Sequence, residues 1–227
     1  MKKIVAAIPA LNEEEKISWV VKGCLKYCDK VIVIDDGSTD RTSELAKKSG
    51  AIVFRNDRRM GIGYTVNRCH EEALKLNSEI IVNLDGDGQH NPDEIPIITE
   101  PIKNGSADFV IGSRRLGENA ETSFIRKYGN KYFSFLISFL IKQKITDSQS
   151  GYRAIRADKL RMIKLKETYT NRQEMIIRAA KMRMRIKEVP IFVKKREHGR
   201  SFIGNFRKKI YFLARVTFII LKTRFVG

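Results

Sequence analysis

Five short apolar runs, each separated from the next by a stretch with helical spacing, constrain the fold more than any other feature. The runs are Ile4–Ile8, Val31–Ile34, Ile52–Phe54, Ile80–Leu84 and Phe109–Ile111. Helices are expected between them near Glu14–Tyr27, Thr42–Ser49, Thr65–Leu76 and Pro92–Lys103. A run that is apolar at successive positions suits a strand covered on both faces, and strands joined by helical crossovers lie parallel. The expected fold is therefore α/β, a mainly parallel sheet flanked by helices. Ligands of such sheets sit beyond the carboxyl ends of the strands. Two runs end in acids, Asp35-Asp36 after the second and Asp85 with Asp87 after the fourth, so both pairs belong on one rim.

The second half reads differently. Phe124–Lys144 is expected to be helical and contains the uncharged run YFSFLISFLI. A further helix is expected over Arg172–Arg183 and a strand over Ile186–Val193, and the tail NFRKKIYFLARVTFIILKTRF reads as a basic, apolar helix. Charge divides the same way. Residues 1–112 carry 15 Lys+Arg against 18 Asp+Glu, a net of −3, while residues 113–227 carry 29 against 8, a net of +21, together the stated +18. Such asymmetry points to a polyanionic partner for the second half, either acidic lipid or nucleic acid. No stretch approaches the roughly 20 apolar residues that span a bilayer. The tail is expected to lie in the interface plane with its Lys and Arg towards headgroups, whereas Tyr132–Ile141 suits core packing and membrane contact equally. Cys24, Cys28 and Cys69 lack metal-site spacing and suit a reducing compartment, and the first residues carry no signal-peptide pattern.

The segment NLDGDGQHNPDE (83–94) carries the sharpest chemistry. Residues two apart on extended backbone point the same way, so Asp85 and Asp87 can converge on one hard divalent cation. Mg²⁺ or Mn²⁺ keeps waters and is completed by substrate phosphates, so few protein ligands suffice. In VIVIDDGSTDRT (31–42), helix capping accounts for Ser38, Thr39 and Asp40 but not for Asp35-Asp36, which suit a base edge or ribose hydroxyls. The chain has no P-loop, and Gly61-Ile62-Gly63 lacks the rest of the dinucleotide fingerprint.

These segments, together with IPALNEEE (8–15), IGSRR (111–115), DSQSGYRAI (147–155) and EVPIFVKKREHGRS (188–201), resemble glycosyltransferase family 2, nearest its dolichyl- or polyprenyl-phosphate sugar synthase branch. The resemblance spans nearly the whole chain in order. It implies a GT-A-type, Rossmann-like fold, a nucleotide-diphosphate-sugar donor, Mg²⁺ or Mn²⁺, and inversion at the anomeric carbon. By position, Pro9, Glu13, Asp36 and Asp85 resemble the nucleotide-binding set, and Asp85, Asp87 and Gln89 the metal and diphosphate site. Arg114, Arg126 and Asn130 resemble the acceptor-phosphate site, Asp147 and Arg153 the loop closing over the donor sugar, and Arg200 a basic segment near the diphosphate. Asp87, Asp147, Arg114 and Arg153 are the expected catalytic group. Gly86, Gly88 and Arg58-Arg59-Met60-Gly61 depart from the usual pattern and leave the donor, of GDP-mannose or UDP-glucose type, open.

The implied organisation is a catalytic domain over residues 1–203, with a nucleotide and metal half (1–112) and an acceptor half (113–203), followed by a basic amphipathic helix over 204–227. The expected reaction transfers a hexose to polyprenyl or dolichyl phosphate at the cytoplasmic face of the cell membrane, by a peripheral enzyme with a possible oligomeric or membrane-subunit partner. A phosphate acceptor arrives ionised and needs no general base, whereas a sugar or protein hydroxyl would need one, with Asp147 or Glu174 as candidates. The remote alternative is a nucleic-acid-binding module, suggested by the pI of about 9.9. It leaves the acidic half idle, so no nucleic-acid partner is expected.

Overall fold

The structure, a computed structural model, describes residues 3–117, 124–163, 171–193 and 206–225, with the side chains of 124–128 and 206–212 left out. Seven strands form one sheet: β1 (Ile4–Ala10), β2 (Lys30–Asp35), β3 (Ile52–Arg55), β4 (Ile80–Asn83), β5 (Phe109–Ser113), β6 (Arg153–Arg156) and β7 (Ile186–Pro190). Their order is β3-β2-β1-β4-β6-β5-β7. All pairings are parallel except those of β6, which runs antiparallel to both β4 and β5.

Helices cover both faces, as two-sided apolar strands require. On one face α1 (Ile17–Leu25), α2 (Thr42–Lys48) and α4 (Ile95–Lys103) pack against Ile4, Ala6, Ile8, Val31, Val33, Ile80 and Val82. On the other, α3 (Ile62–Lys75), α5 (Phe124–Ile141), the short α6 (Ala157–Leu160), α7 (Asn171–Lys181) and α8 (Phe206–Phe225) meet Val5, Ala7, Ile32, Ile34 and Ile81. Successive residues of one strand thus serve opposite cores. Cys24, Cys28 and Cys69 lie in these cores as free thiols, and burial pushes Cys28 up to about 12, well out of reach of thiolate chemistry at neutral pH.

All six expected strands are present, and so is the mainly parallel sheet. Helix α3 starts three residues earlier than periodicity indicates, because Gly61 at φ +94° turns the chain into it and its carbonyl accepts from the Thr65 N–H and hydroxyl. Strand β7 stops at Pro190, which has no N–H to continue the ladder. Strand β6 has no counterpart in the sequence analysis. Its four residues RAIR place only Ala154 and Ile155 between charged ends, too little pattern to mark a strand, yet they pair with Val82, Ile81, Val110 and Phe109 in the middle of the sheet.

Both apolar helices of the second half are divided between roles. On α5, Phe133 and Ile137 are buried while Phe135 and Phe139 stand out of the surface. On α8, Val216, Ile219 and Ile220 are buried while Phe218, Leu221 and Phe225 are exposed. A hydrogen bond between the Tyr132 and Thr217 hydroxyls, and one from Arg224 Nε to the Leu140 carbonyl, join the two helices. Among the described residues no helix is long and apolar enough to cross a membrane.

Candidate active site

The carboxyl ends of β1, β2 and β4 meet on one rim, and side-chain hydrogen bonds knit them together. The backbone N–H of Asn12 donates to Ser38 Oγ at 2.9 Å, and Asn12 Oδ1 accepts from the Thr39 N–H. Asp35 is fully buried and closes the turn after β2, accepting from the Ser38 N–H at 2.9 Å and from the hydroxyls of Ser38 and Ser43. Asp36 turns to the loop before α3, accepting from Asn56 Nδ2, the Met60 N–H and the Gly61 N–H, each at 2.8 Å. The residue expected to meet a nucleotide therefore first shapes the loop that would flank one. Glu13 opens the approach to α1, its carbonyl accepting from the Lys16 and Ile17 N–H groups and its own N–H donating to Thr42 Oγ1.

Deeper on the rim, Pro9, His70, Asn83, Asp85, Arg153 and Arg172 line a half-enclosed cavity of about 30 Å³. Burial alone would raise the Asp85 carboxyl, but Arg172 foremost, with smaller help from His90 and Arg114, holds it below the ordinary value. One Arg172 nitrogen, Nη2, contacts both Asp85 oxygens at 3.1 and 3.0 Å, and Nη1 donates to the Gln149 carbonyl at 3.0 Å. Gly151 makes this possible: a Cβ there would stand 2.8 Å from Arg172 Nη2 and 2.9 Å from Asp85 Oδ2. Arg153 is buried and donates to three backbone carbonyls, those of Ser150 at 2.8 Å, Arg172 at 2.6 Å and Ser148 at 3.0 Å. It staples the 147–151 loop to the start of α7. His90 packs on Tyr152 with ring centroids 5.1 Å apart, and burial lowers its pKa to about 4, so it stays neutral.

The Asp87 carboxylate accepts from the Gln89 N–H at 3.1 Å, a tight turn that Gly88 permits at φ +73°. Among the described residues no group of three or more His, Cys, Asp or Glu side chains encloses a metal site. The oxygen set of Asp87 and Gln89, beside an Asp85 already facing a guanidinium, fits a hard cation that takes its remaining ligands from phosphate and water.

Across the rim, Asp147 is fully buried and its carboxylate is saturated. Arg114 donates to it three times, from Nε at 2.6 Å, Nη2 at 2.9 Å and the backbone at 3.1 Å, and Asn130 Nδ2 adds a contact at 2.9 Å. Burial opposes the charge, but these bonds bring the Asp147 pKa down to about 2. Glu188 on β7 sets the arrangement from behind, accepting from the Thr146 and Asp147 N–H groups at 2.8 and 2.9 Å. Glu174, the other base candidate, is buried and ion-paired to Arg178 at 2.7 Å. The structure thus brings Pro9, Asp85 and Arg153 together in one cavity, and Arg114, Asn130 and Asp147 in one network. The Arg126 side chain and Arg200 lie outside the described residues. Sequence reasoning missed Arg172 and Glu188. An arginine at a helix start and a glutamate on a strand carry no local mark of a tertiary role.

The glycosyl transferase family 2 profile matches residues 5–163. An uncharacterised protein of Methanocaldococcus jannaschii is 36% identical over 195 residues, 83% of this chain and 80% of that protein. The UDP-N-acetylglucosamine–dolichyl-phosphate N-acetylglucosaminyltransferase of Methanococcus voltae is 32% identical over 213 residues, 84% of this chain and 85% of the relative. The undecaprenyl-phosphate mannosyltransferase of Micrococcus luteus is 32% identical across 88% of this chain and 86% of its own. In fold, the chain matches glucosyl-3-phosphoglycerate synthase of Mycobacterium tuberculosis, crystallised with Mn²⁺ and UDP-glucose, with a TM-score of 0.77 at 22% identity over 98% of this chain and 79% of that one. The sheet is thus of the GT-A type, and the chain belongs to glycosyl transferase family 2.

Proposed function

We propose that this chain is an inverting, metal-dependent glycosyltransferase that moves a hexose-type sugar from a nucleotide diphosphate to a polyprenyl or dolichyl phosphate at a membrane surface. The observation that carries the choice of acceptor is the state of the two base candidates. Asp147 is held by Arg114 and Asn130, and Glu174 by Arg178, both fully inside the protein. Neither is placed to take a proton from a hydroxyl. A phosphate monoester has its second pKa near about 6 and reaches the site already ionised. The lipid-phosphate substrates named for two relatives support the same reading.

In this reading one acceptor phosphate oxygen attacks the anomeric carbon from the side opposite the diphosphate. The new carbon–oxygen bond forms as the bond to the leaving diphosphate breaks, and the nucleoside diphosphate departs with the electron pair. Arg114, aimed by Asp147, offsets the charge of the incoming phosphate, since a planar guanidinium suits phosphate oxygens. Asp87 and Gln89 would hold Mg²⁺ or Mn²⁺, which supplies positive charge at the leaving diphosphate. Arg153 keeps the 147–151 loop in place between the two substrates. Alignment and charge compensation then account for the chemistry.

Membrane contact is supported by the exposed aromatics of two neighbouring helices, α5 and α8. Phe135 and Phe139 on α5 are 71% and 73% exposed, and Phe218 and Phe225 on α8 are 66% and 72% exposed. Lys131, Lys142, Arg215 and Lys222 belong to the same two helices or their ends. Aromatics with interspersed bases suit the headgroup region of an anionic leaflet. The test is to incubate the protein with Mn²⁺ or Mg²⁺, a panel of nucleotide sugars, and polyprenyl phosphate, polyprenol or free saccharide. Transfer to the lipid phosphate alone is expected. Transfer to saccharide or polyprenol, with none to lipid phosphate, would overturn the reading.

A further inference from the structure

An open groove of about 690 Å³ runs beside the outer stripe of α5 and shares no residue with the Asp85 cavity. Bases reach it from three stretches of chain: Arg115 after β5, Lys131 on α5, and Lys142 with Lys144 after α5. No acid is among its described lining residues, and none of the four bases is ion-paired within the described residues. Phe135 and Phe139 follow Lys131 at four-residue intervals, so they share its stripe, and both line the groove while standing well out of the surface. Its hydroxyls are already committed. Ser138 Oγ donates to the Ser134 carbonyl at 2.6 Å, and Thr146 Oγ1 is 2.6 Å from Ser113 Oγ. Charge and hydrocarbon are what remain for a ligand, and they complement an anionic head on an apolar tail.

One of these bases is held against the preference of its backbone. Helix α5 ends in a turn in which the Gln143 N–H donates to the Ser138 carbonyl at 3.2 Å, and Lys142 takes the left-handed position at φ +56°. Glycine is favoured there, because a Cβ crowds the following carbonyl. The Gln143 side chain ties the turn to the Ile186 carbonyl at 2.8 Å, so the surroundings, not the lysine, maintain the conformation. A side chain kept at such a position points to a use for its ammonium group.

The groove adjoins the acceptor network without containing it. Arg115 and Thr146 are the neighbours in sequence of Arg114 and Asp147, whose side chains pair with each other at 2.6 Å. We propose that the groove is a docking site for the phosphate headgroup of an anionic phospholipid, with Arg115, Lys131, Lys142 and Lys144 meeting the head and Phe135 and Phe139 the acyl chains. This rests on the membrane-surface reading above and names the lipid class that the surface holds. The docked lipid keeps the bilayer beside the acceptor network and leaves Arg114 to the acceptor.

Two lipid probes test it: vesicles of phosphatidylcholine with and without phosphatidylglycerol, by sedimentation, and short-chain dihexanoyl-phosphatidylglycerol below its micellar concentration, by calorimetry. Wild type should bind the charged vesicles more tightly than the neutral ones, and the short-chain lipid saturably. Lys142→Gly should melt no lower than wild type, since glycine suits the turn, yet lose about fivefold in affinity for the charged vesicles, the share of one base at an anionic surface. Adding Lys144→Ser should carry that loss to roughly twentyfold and remove binding of the short-chain lipid. Lys47→Ala, exposed on α2 over the opposite face of the sheet, should bind both probes as wild type does. Equal losses in Lys47→Ala and Lys142→Gly, or none in either, with wild type preferring charged vesicles, overturn this assignment alone and leave a diffuse attraction. So does a KM for polyprenyl phosphate that Lys142→Gly raises in detergent free of phospholipid, which would give the groove to the acceptor. Wild type indifferent to phosphatidylglycerol overturns the membrane-surface reading and this assignment with it.

Discussion

Replacing Asp147 by asparagine keeps the shape of the side chain and removes its charge, and the geometry sets the cost. The carboxylate accepts from Arg114 Nε, Nη2 and backbone, from Asn130 Nδ2 and from the Gln149 N–H, with distances between 2.6 and 3.2 Å. The fall in its pKa from 3.8 to about 2 is worth about 2.5 kcal/mol of folding stability at neutral pH, present above the unfolded value and lost as pH drops through the folded one. Asparagine also turns one amide N–H₂ towards Arg114 and removes the Asp147 charge from beside that guanidinium, which is only 17% exposed. Removing one partner of such a pair costs about 3–5 kcal/mol, and the asparagine carbonyl returns a part of it. Urea unfolding of Asp147→Asn should therefore show a loss of about 3 kcal/mol relative to wild type. In turnover assays the KM for lipid phosphate should rise while that for the nucleotide sugar stays within about twofold, because Arg114 loses its aim and not its charge. A variant destabilised by less than about 1 kcal/mol, with unchanged acceptor KM, would refute the reasoning. A collapse of kcat at unchanged KM, rescued by raising pH, would instead return Asp147 to the role of base.

Three further outcomes follow from the packing. Gly151→Ala should fold with a nearly unchanged melting temperature yet weaken nucleotide-sugar binding, since its Cβ would sit 2.8 Å from Arg172 Nη2; normal binding would show that the contact is dispensable. His70 is buried beside Asn83 and burial lowers its pKa to about 4, so the unfolded chain binds a proton between pH 6.5 and 4 that the folded chain refuses. Stability should fall as pH drops through that window, by up to about 1.4 kcal/mol per unit from this residue, and His70→Gln should flatten the slope in pH-dependent unfolding. Phe135→Ser with Phe139→Ser should reduce partitioning onto anionic liposomes about tenfold without lowering the melting temperature; unchanged sedimentation with vesicles would remove this face from the membrane reading.

The first five strands were legible because each holds a short, mostly apolar run, too short for a helix and bounded by stretches with helical spacing. The rim acids were legible because Asp35 and Asp85 interrupt that apolarity at the point where such a sheet presents its ligand face. What local pattern cannot express is a partner far along the chain. Asp147 and Arg114 are 33 residues apart and Asp85 and Arg172 are 87 apart, and in each case nothing local says which acid will meet which base until the sheet brings them together. Asp36 shows a related ambiguity. A carboxylate after a strand serves a ligand or its own loop equally well on paper, and here the N–H groups of Met60 and Gly61 take it. The tail helix illustrates a third. One stripe of α8 is aromatic and outward, another is aliphatic and in the core, so its composition alone suits both an anchor and a scaffold element.

The reversed strand β6 carries a consequence for how the molecule can be assembled. Because it runs against its neighbours, its first residue, not its last, reaches the rim, and the 147–151 loop arrives there from the opposite direction to every other rim segment. It also separates β4 from β5, so no strand pairing joins the first four strands in the chain to the fifth until residues 153–156 have been added. A fragment ending near residue 112 would leave β4 with a raw, sticky margin and β5 with no neighbour on either side. The two chemically distinct portions of this chain are thus woven through one another, and neither should survive as a separately expressed piece.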